Sequence, residues 1–455
     1  MSFFRIELRR FLQAATAIAV SNCAFWLMGH WLNLERAAFN LDLVLVLLVM
    51  AVLPRIGLGL LALAWLCDWL VAQSLIFHFA DPWEFLRSAR FITTIDVWTY
   101  VSSGSFLLLL PFATCFGVLH WTAKQRRSDW PYLLFFGVCL AGADVLNGSS
   151  AISGRDVRIF AANIAGSPTM SIASRLASNT TAHPLSPLPE EVSITSLMHM
   201  KDWVRSHPER SVVLILVESM GKHRSVNVRN WLTSRLTTPA VQVRYELEQL
   251  DVPFRGPTTS GELRALCGLQ GAYRHMNATT GRACLPSYLV AQGWQTKGIH
   301  GFSGAMFDRD EWWALVGLQQ RSFADTLKQQ GLPSCGGAFR GICDSNLVQR
   351  AFQEARPART FVYLLTLNTH LPLASVSIPE GERQLCSGEQ LGEDVCQMVV
   401  QTGRVLSAIS KEAATGPTAP LIVVIGDHAP PFVRTFSRAQ FDLTYVPAYV
   451  LRPRD

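Results

Sequence analysis

Four stretches in the second half of the chain carry, at or near their C-terminal ends, side chains able to hold a metal ion or a phosphate. SVVLILVE (211–218) ends at Glu218, GWQTKGIHG (293–301) contains His300, TFVYLLTLNTH (360–370) ends at His370, and PLIVVIGDH (420–428) ends in Asp427-His428. A lone histidine at such a place is ordinarily a satisfied core residue. Four such ends are harder to attribute to packing, because burying unpaired carboxylates is costly. Two carboxylates and an imidazole, Glu218, Asp427 and His428, suit a divalent transition metal such as zinc or manganese. A hydroxyl as fourth ligand would be acidified by that metal and become a nucleophile. GPTTSGELRALCGL (256–269) offers two hydroxyls, Thr258 and Thr259, among small residues that let backbone approach a ligand closely. Taken alone, that stretch reads as an ordinary capped helix start, and only the strand-end ligands shift it toward catalysis. HGFSGAMFDRDEWW (300–313) adds His300 and Arg309, whose guanidinium fork matches phosphate. A metal-activated threonine facing an Arg/His anion pocket points to phosphoryl transfer through a phospho-threonine, or to sulfate-ester chemistry. Trp312 and Trp313 fit stacking on a ligand and packing of an amphipathic helix about equally.

These residues need a scaffold that brings strand ends together. The runs at 211–218, 360–370 and 420–428 are β-branched and aliphatic but too short to cross a membrane, as in strands buried on both faces. Helical stretches at 284–292, 311–330 and 345–356 alternate with them, which predicts an α/β domain with a parallel sheet. Open sheets of that kind bind ligands at the carboxyl ends of their strands.

The first third of the 455-residue chain is different. Hydrophobic residues make up 49% of the chain and charged residues 16%, and the apolar ones crowd toward the N-terminus. Apolar segments at 11–31, 41–54, 56–77, 104–121 and 131–147 predict about five membrane helices, the second and third joined tightly at Pro54-Arg55. No small-residue cleavage site follows the first, so it is expected to be an uncleaved helix. Arg5, Arg9, Arg10, Arg55, Lys124, Arg126 and Arg127 all fall on one side, which places the N-terminus in the cytoplasm and everything after 148 outside it. The loop 79–103, with Trp83, Phe85, Phe91, Trp98 and Tyr100, reads as an interfacial segment. Asp68 and Asp144 are polar features inside apolar runs. The resulting division is a membrane domain over 1–147, a linker with a juxtamembrane helix over 148–207, and an extracytoplasmic domain over 208–455. The net charge of +6 is modest and lies partly beside apolar runs, so membrane orientation explains it and nucleic-acid binding is not expected. Cys23, Cys67, Cys115 and Cys139 lie in apolar segments and behave as small hydrophobes. Cys267, Cys284, Cys335, Cys343, Cys386 and Cys396 form three sequence-local pairs without CxxC spacing, which predicts disulfides in an oxidising compartment.

VESMG (217–221), the Thr-centred loop, HGFSGAMFDRDEWW, TLNTHLP (366–372), IGDH (425–428) and YVPAYVLRP (445–453) follow one another in an order that carries a family resemblance. The chain resembles the membrane-anchored sulfatase-like phosphotransferases of the alkaline phosphatase superfamily, nearest the lipoteichoic acid synthases and the phosphoglycerol transferases of periplasmic glucans. The resemblance implies an α-helical membrane domain joined to an alkaline-phosphatase/sulfatase-like α/β domain with a central, mostly parallel sheet. It implies metal ligation by Glu218, Thr258, Asp427 and His428. It makes Thr258 the nucleophile rather than Thr259, because Gly261, Cys267 and Gly268 keep the relatives' spacing from Thr258. Glu262 matches an acidic residue of the synthases. His300 and Arg309 keep the family's nine-residue offset as substrate-binding groups, His370 matches a histidine near the leaving or entering group, and Phe307 matches an aromatic lining the glycerol pocket.

Pairing as Cys267–Cys284, Cys335–Cys343 and Cys386–Cys396 resembles the phosphoethanolamine transferases of lipid A, but their Thr-Ala-Arg signature is replaced here by ESMGKH. The implied protein is a multi-pass enzyme of a bacterial inner membrane with its catalytic domain in the periplasm. It would move a phospholipid headgroup, phosphoglycerol ahead of phosphoethanolamine, to a glycan or glycolipid acceptor. A sulfatase is disfavoured because Ser260-Gly261-Glu262-Leu263 does not fit a formylglycine context. An inactive membrane scaffold is disfavoured by the retained set of site residues.

Overall fold

In the computed structural model of the chain, the described residues are 2–31, 37–78, 82–94, 96, 130–146, 164–170, 172–173, 185–188 and 195–454. Two compact units emerge, one of residues 1–89, 104–182 and 433–435, the other of 90–103, 183–432 and 436–455.

The first unit is helical: α1 (Ser2–Trp31), α2 (Leu41–Val52), α3 (Pro54–Ile76) and α4 (Trp130–Leu146). Asn40 opens α2 by accepting the Asp42 N–H at 2.9 Å. The break between α2 and α3 is a single residue, Leu53, because Pro54 has no N–H to give α2 and suits a first helical position. Among the described residues, α3 alone is long and apolar enough to cross a membrane, with 23 residues and a mean hydropathy of 1.7 in its most apolar window. The shorter α2 and α4 are also apolar. Of the expected spans, 104–121 lies outside the described residues, as do Trp98, Tyr100, Cys115 and the side chain of Trp83. Asp68 and Asp144 are both buried, and Asp144 accepts the Ala165 N–H at 3.1 Å.

The second unit is built on a seven-stranded sheet. Its strands are β1 (Val212–Val217), β2 (Tyr245–Pro253), β3 (Gln295–His300), β4 (Gln320–Ser322), β5 (Thr360–Leu365), β6 (Leu421–Gly426) and β7 (Tyr445–Pro453). The spatial order is β2-β7-β6-β1-β5-β3-β4. Strands β6, β1, β5, β3 and β4 run parallel, whereas β7 is antiparallel to β6 and β2 antiparallel to β7. The sheet is therefore mixed, with a parallel centre and an antiparallel flank. Every position of β1, β5 and β6 is buried, as expected of strands covered on both faces. Edge strand β2, YELEQLDVP, is only partly buried, with Glu246, Gln249 and Asp251 exposed to water.

The sheet is covered by α5 (Val226–Leu236), α6 (Thr258–Cys267), α7 (Arg309–Leu315), α8 (Asp344–Glu354) and α9 (Glu393–Thr415), among others. The single helix expected over 311–330 is instead α7, then β4, then a short helix Ala324–Gln329. Gly317, at φ +96°, ends the first piece in a backbone conformation that favours glycine. Trp312 and Trp313 are both buried; the Trp313 ring lies 5.3 Å from that of Tyr363, so both tryptophans belong to the core rather than to a stacking surface. Disulfides join Cys267–Cys284, Cys335–Cys343 and Cys386–Cys396. Closing loops of this length stabilises the fold by about 2.5–3 kcal/mol each in the chain-entropy account.

Candidate metal centre and active site

Register places the key side chains. Gly426 of β6 lies opposite Val217 of β1, so Asp427 and Glu218 emerge side by side where the two parallel strands end. Directly after Glu218, Ser219 adopts a left-handed conformation (φ +54°), which is uncommon for a residue with a side chain. That turn lets the Ser219 N–H donate to Asp427 Oδ1 at 2.7 Å and its hydroxyl to Glu218 Oε1 at 3.0 Å. Thr366 Oγ1 accepts the Glu218 N–H at 3.0 Å, and the Thr369 hydroxyl donates to the Glu218 carbonyl. Asp427 Oδ1 also accepts the His428 N–H at 2.7 Å. Asp427 Oδ2 is buried without a hydrogen-bond donor and lies 3.3 Å from His428 Nε2. Arg264 donates to the Gly426 and Asp427 carbonyls at 2.9 and 3.1 Å, and burial lowers its guanidinium to about 10.

Thr258 enters this cluster from the start of α6. Pro257 occupies the cap position, so the helix starts without the expected side-chain cap. The Thr258 hydroxyl instead donates to Glu218 Oε2 at 3.0 Å and sits 3.2 Å from His428 Nε2. Gly261 permits the approach, since a Cβ there would lie 2.9 Å from the Asp427 Cβ. His428 Nδ1 lies 2.9 Å from the Ala429 carbonyl, which can only accept, so Nδ1 carries the proton and Nε2 keeps its lone pair.

One ligand atom each from Glu218, Asp427 and His428 lies within 4.8 Å of the others, all in buried residues. Burial and the adjacent Glu218 push the Asp427 carboxyl well above its usual range. Burial acts the same way on Glu218, but the His370 and His428 rings and the Ser219 and Thr258 hydroxyls bring it below its ordinary value. Two adjacent buried carboxylates, one with an oxygen lacking a donor, fit a divalent cation, whose charge would offset their mutual repulsion. With the imidazole and hydroxyl they form an O/N set of four, compatible with zinc or manganese.

One turn along α6, Glu262 organises the second half of the site. Its Oε2 accepts Arg309 Nε at 3.0 Å and lies 2.9 Å from Arg309 Nη2. Its Oε1 accepts from the Trp313 ring N–H at 2.9 Å and the Tyr363 hydroxyl at 3.3 Å. The ion pair is sealed from water, with side chains 3% and 0% exposed. Arg309 is therefore not a free fork: its Nε edge is committed to Glu262, and Nη1 donates to the Met306 carbonyl at 3.2 Å. The guanidinium lies 5.3 Å from the centre of the partly buried Phe307 ring.

His300 and His370 each hold a carbonyl at Nδ1, Leu365 at 3.1 Å and Leu371 at 2.6 Å, leaving Nε2 unprotonated in the neutral ring. Burial, then Arg309, takes His300 well below its ordinary value. Burial also lowers His370, although Glu218 pulls the other way. The loop carrying His370 is fixed by Asp344, whose carboxylate accepts the Leu367 and Asn368 N–H groups at 2.9 and 2.8 Å. Burial raises that carboxyl to about 7. Asp344, Ser219, Thr366 and Arg264 carry no sequence signal of these roles. Glu262 stood out only as a matched acidic position.

No protein-family model matches the chain, and no curated protein matches it by sequence. Among solved structures it is similar to the lipoteichoic acid synthase LtaP from Listeria monocytogenes, with 13% identity and a TM-score of 0.40 over 54% of this chain and 66% of that one. It is similar to the phosphoglycerol transferase GacH of Streptococcus pyogenes in complex with sn-glycerol-1-phosphate, with 14% identity and a TM-score of 0.36 over 58% and 77%. It is also similar to the lipooligosaccharide phosphoethanolamine transferase EptA, an integral membrane protein from Neisseria meningitidis, with 14% identity and a TM-score of 0.48 over 98% and 88%. The matched part spans just under two thirds of the synthase chain.

Proposed function

We propose that the protein is a metal-dependent transferase that moves a phospholipid headgroup, phosphoglycerol by preference, onto a hydroxyl of a glycan or glycolipid outside the cytoplasmic membrane. The observation that carries this reading is the Thr258 hydroxyl, buried within hydrogen-bond reach of both Glu218 and His428 beside Asp427. Glu218, Asp427 and His428 would hold the cation with Thr258 as fourth ligand, and the bound cation would acidify that hydroxyl and offset charge on the phosphate.

Thr258 Oγ1 attacks the donor phosphorus and the bond to the diacylglycerol oxygen breaks. The proton lost by Thr258 is the one the leaving oxygen gains, and His370 Nε2, held neutral, is the group proposed to carry it. An acceptor hydroxyl then attacks the phospho-threonine ester, gives its proton to the same ring, and Thr258 is regenerated. Arg309, fixed by Glu262, and the neutral His300 orient the phosphate. A site tethered to apolar helices suits a donor that never leaves the bilayer, and the disulfides suit the periplasm. Phosphoethanolamine is the second reading, favoured by those same three bridges.

The test uses the full-length protein in vesicles of headgroup-labelled phosphatidylglycerol or phosphatidylethanolamine. The wild type is expected to release diacylglycerol and to carry a headgroup-phosphate adduct on Thr258 by mass spectrometry. Thr258→Ala is expected to do neither, and undiminished headgroup transfer by that variant overturns the assignment.

A further inference from the structure

Beside Arg309, Phe307 and Asp308 are consecutive non-glycine residues in the left-handed region, at φ +56° and +53°. Asp308 occupies the cap position of α7, where a carboxylate ordinarily takes a helix N–H, yet it makes no capping bond. Its Oδ2 instead accepts the Tyr273 hydroxyl at 3.0 Å and the Arg90 guanidinium. Arg90 lies 4.5 Å over the Phe91 ring, and Phe91 in turn packs on Phe307 at 5.3 Å. All these residues belong to the same compact unit. The two carboxylates flanking Arg309 and Phe307 are thus each matched to an arginine, Glu262 to Arg309 and Asp308 to Arg90. Of the two pairs, only Arg90–Asp308 is solvent-accessible, with side chains 52% and 30% exposed.

We propose that Arg90 is a specificity-determining residue: by neutralising Asp308 beside Arg309, the group proposed to orient the phosphate, it makes the site favour an uncharged polyol headgroup over a protonated amine. The inference rests on the transferase reading above and narrows its substrate class. Without Arg90, Tyr273 still bonds the carboxylate but does not cancel its charge, and Asp308 becomes a partner for an ammonium group. An exposed charge pair contributes little, so the expected change in preference is about fivefold rather than a complete switch.

The experiment presents the full chain with vesicles containing equal phosphatidylglycerol and phosphatidylethanolamine and reads the ratio of the two Thr258 adducts. Arg90→Gln is expected to raise the ethanolamine share about fivefold, and Arg90→Lys to leave the ratio near wild type. Adding Asp308→Asn to Arg90→Gln is expected to return the ratio toward wild type. The inference is overturned if Arg90→Gln lowers both adducts equally, the result expected of a plain phosphate contact. It is also overturned if the altered ratio persists in the double variant. A wild-type chain that forms no adduct with either lipid overturns the transferase reading itself, and this inference with it.

Discussion

Glu262 and Asp427 are both fully buried carboxylates near the nucleophile helix, and they are treated in opposite ways. Glu262 is surrounded by donors: the Arg309 guanidinium, the Trp313 ring N–H and the Tyr363 hydroxyl. Asp427 spends one oxygen on the Ser219 and His428 N–H groups and turns the other, without a donor, into the cluster with His428 and Glu218. The first arrangement is complete as folded and serves to hold Arg309. The second would be completed by the cation proposed above. Buried charge marks structure in one case and a proposed binding site in the other, and the distinction is read from the donors present.

That contrast is broken most forcefully at Glu262. Glu262→Ala leaves the Arg309 charge buried and unpaired, and breaking such a pair costs about 3–5 kcal/mol. In a unit of this size that lowers the unfolding midpoint by about 10 °C, measured on the full chain by thermal unfolding in detergent. A midpoint within a degree or two of wild type would mean that Arg309 finds other partners and that Glu262 is not the anchor.

Asp427→Asn is expected to do the reverse. Removing one of two adjacent carboxylates relieves their repulsion, so the metal-free protein keeps or gains stability. Addition of zinc or manganese at a hundredfold excess over Kd should stabilise the wild type by about 2.7 kcal/mol and leave Asp427→Asn unmoved. A metal-induced shift of equal size in both would place the cation elsewhere.

The two carboxylates were also unequally legible in the sequence. Asp427 ends an apolar run that can only be a buried strand, and a charged residue there invites a ligand. Glu262 is legible only as a position matched to an acidic residue, because its partners Arg309, Trp313 and Tyr363 lie far along the chain. The central strands were plain for the same reason as Asp427: runs such as VVLILV have one physical use at that length. Strand β2 was not, because YELEQLDVP at a sheet edge carries the charges of a surface segment. The break in the helix expected over 311–330 hung on Gly317, whose φ of +96° depends on the turn into β4. Nor does anything local to Arg90 announce Asp308 as its partner, 218 positions away.

A third carboxylate, Asp344, stands between the two cases and tests the contrast through pH. It receives the Leu367 and Asn368 N–H groups, and burial raises its carboxyl to about 7. Its folded value is thus raised above the unfolded one, from 3.8 to about 7. Through that window the folded chain binds more protons than the unfolded one, so this group's contribution is present at low pH and is lost as pH rises toward 7. At one pKa unit per 1.36 kcal/mol, the loss between about pH 4 and 7 has an upper bound of about 4 kcal/mol. Asp344→Asn fixes the group in its uncharged form and keeps one acceptor for the loop bearing His370. Its unfolding midpoint should fall less steeply than the wild type's between pH 4 and 7. Parallel profiles for the two proteins would show that Asp344 remains ionised throughout, supported by its two N–H donors alone.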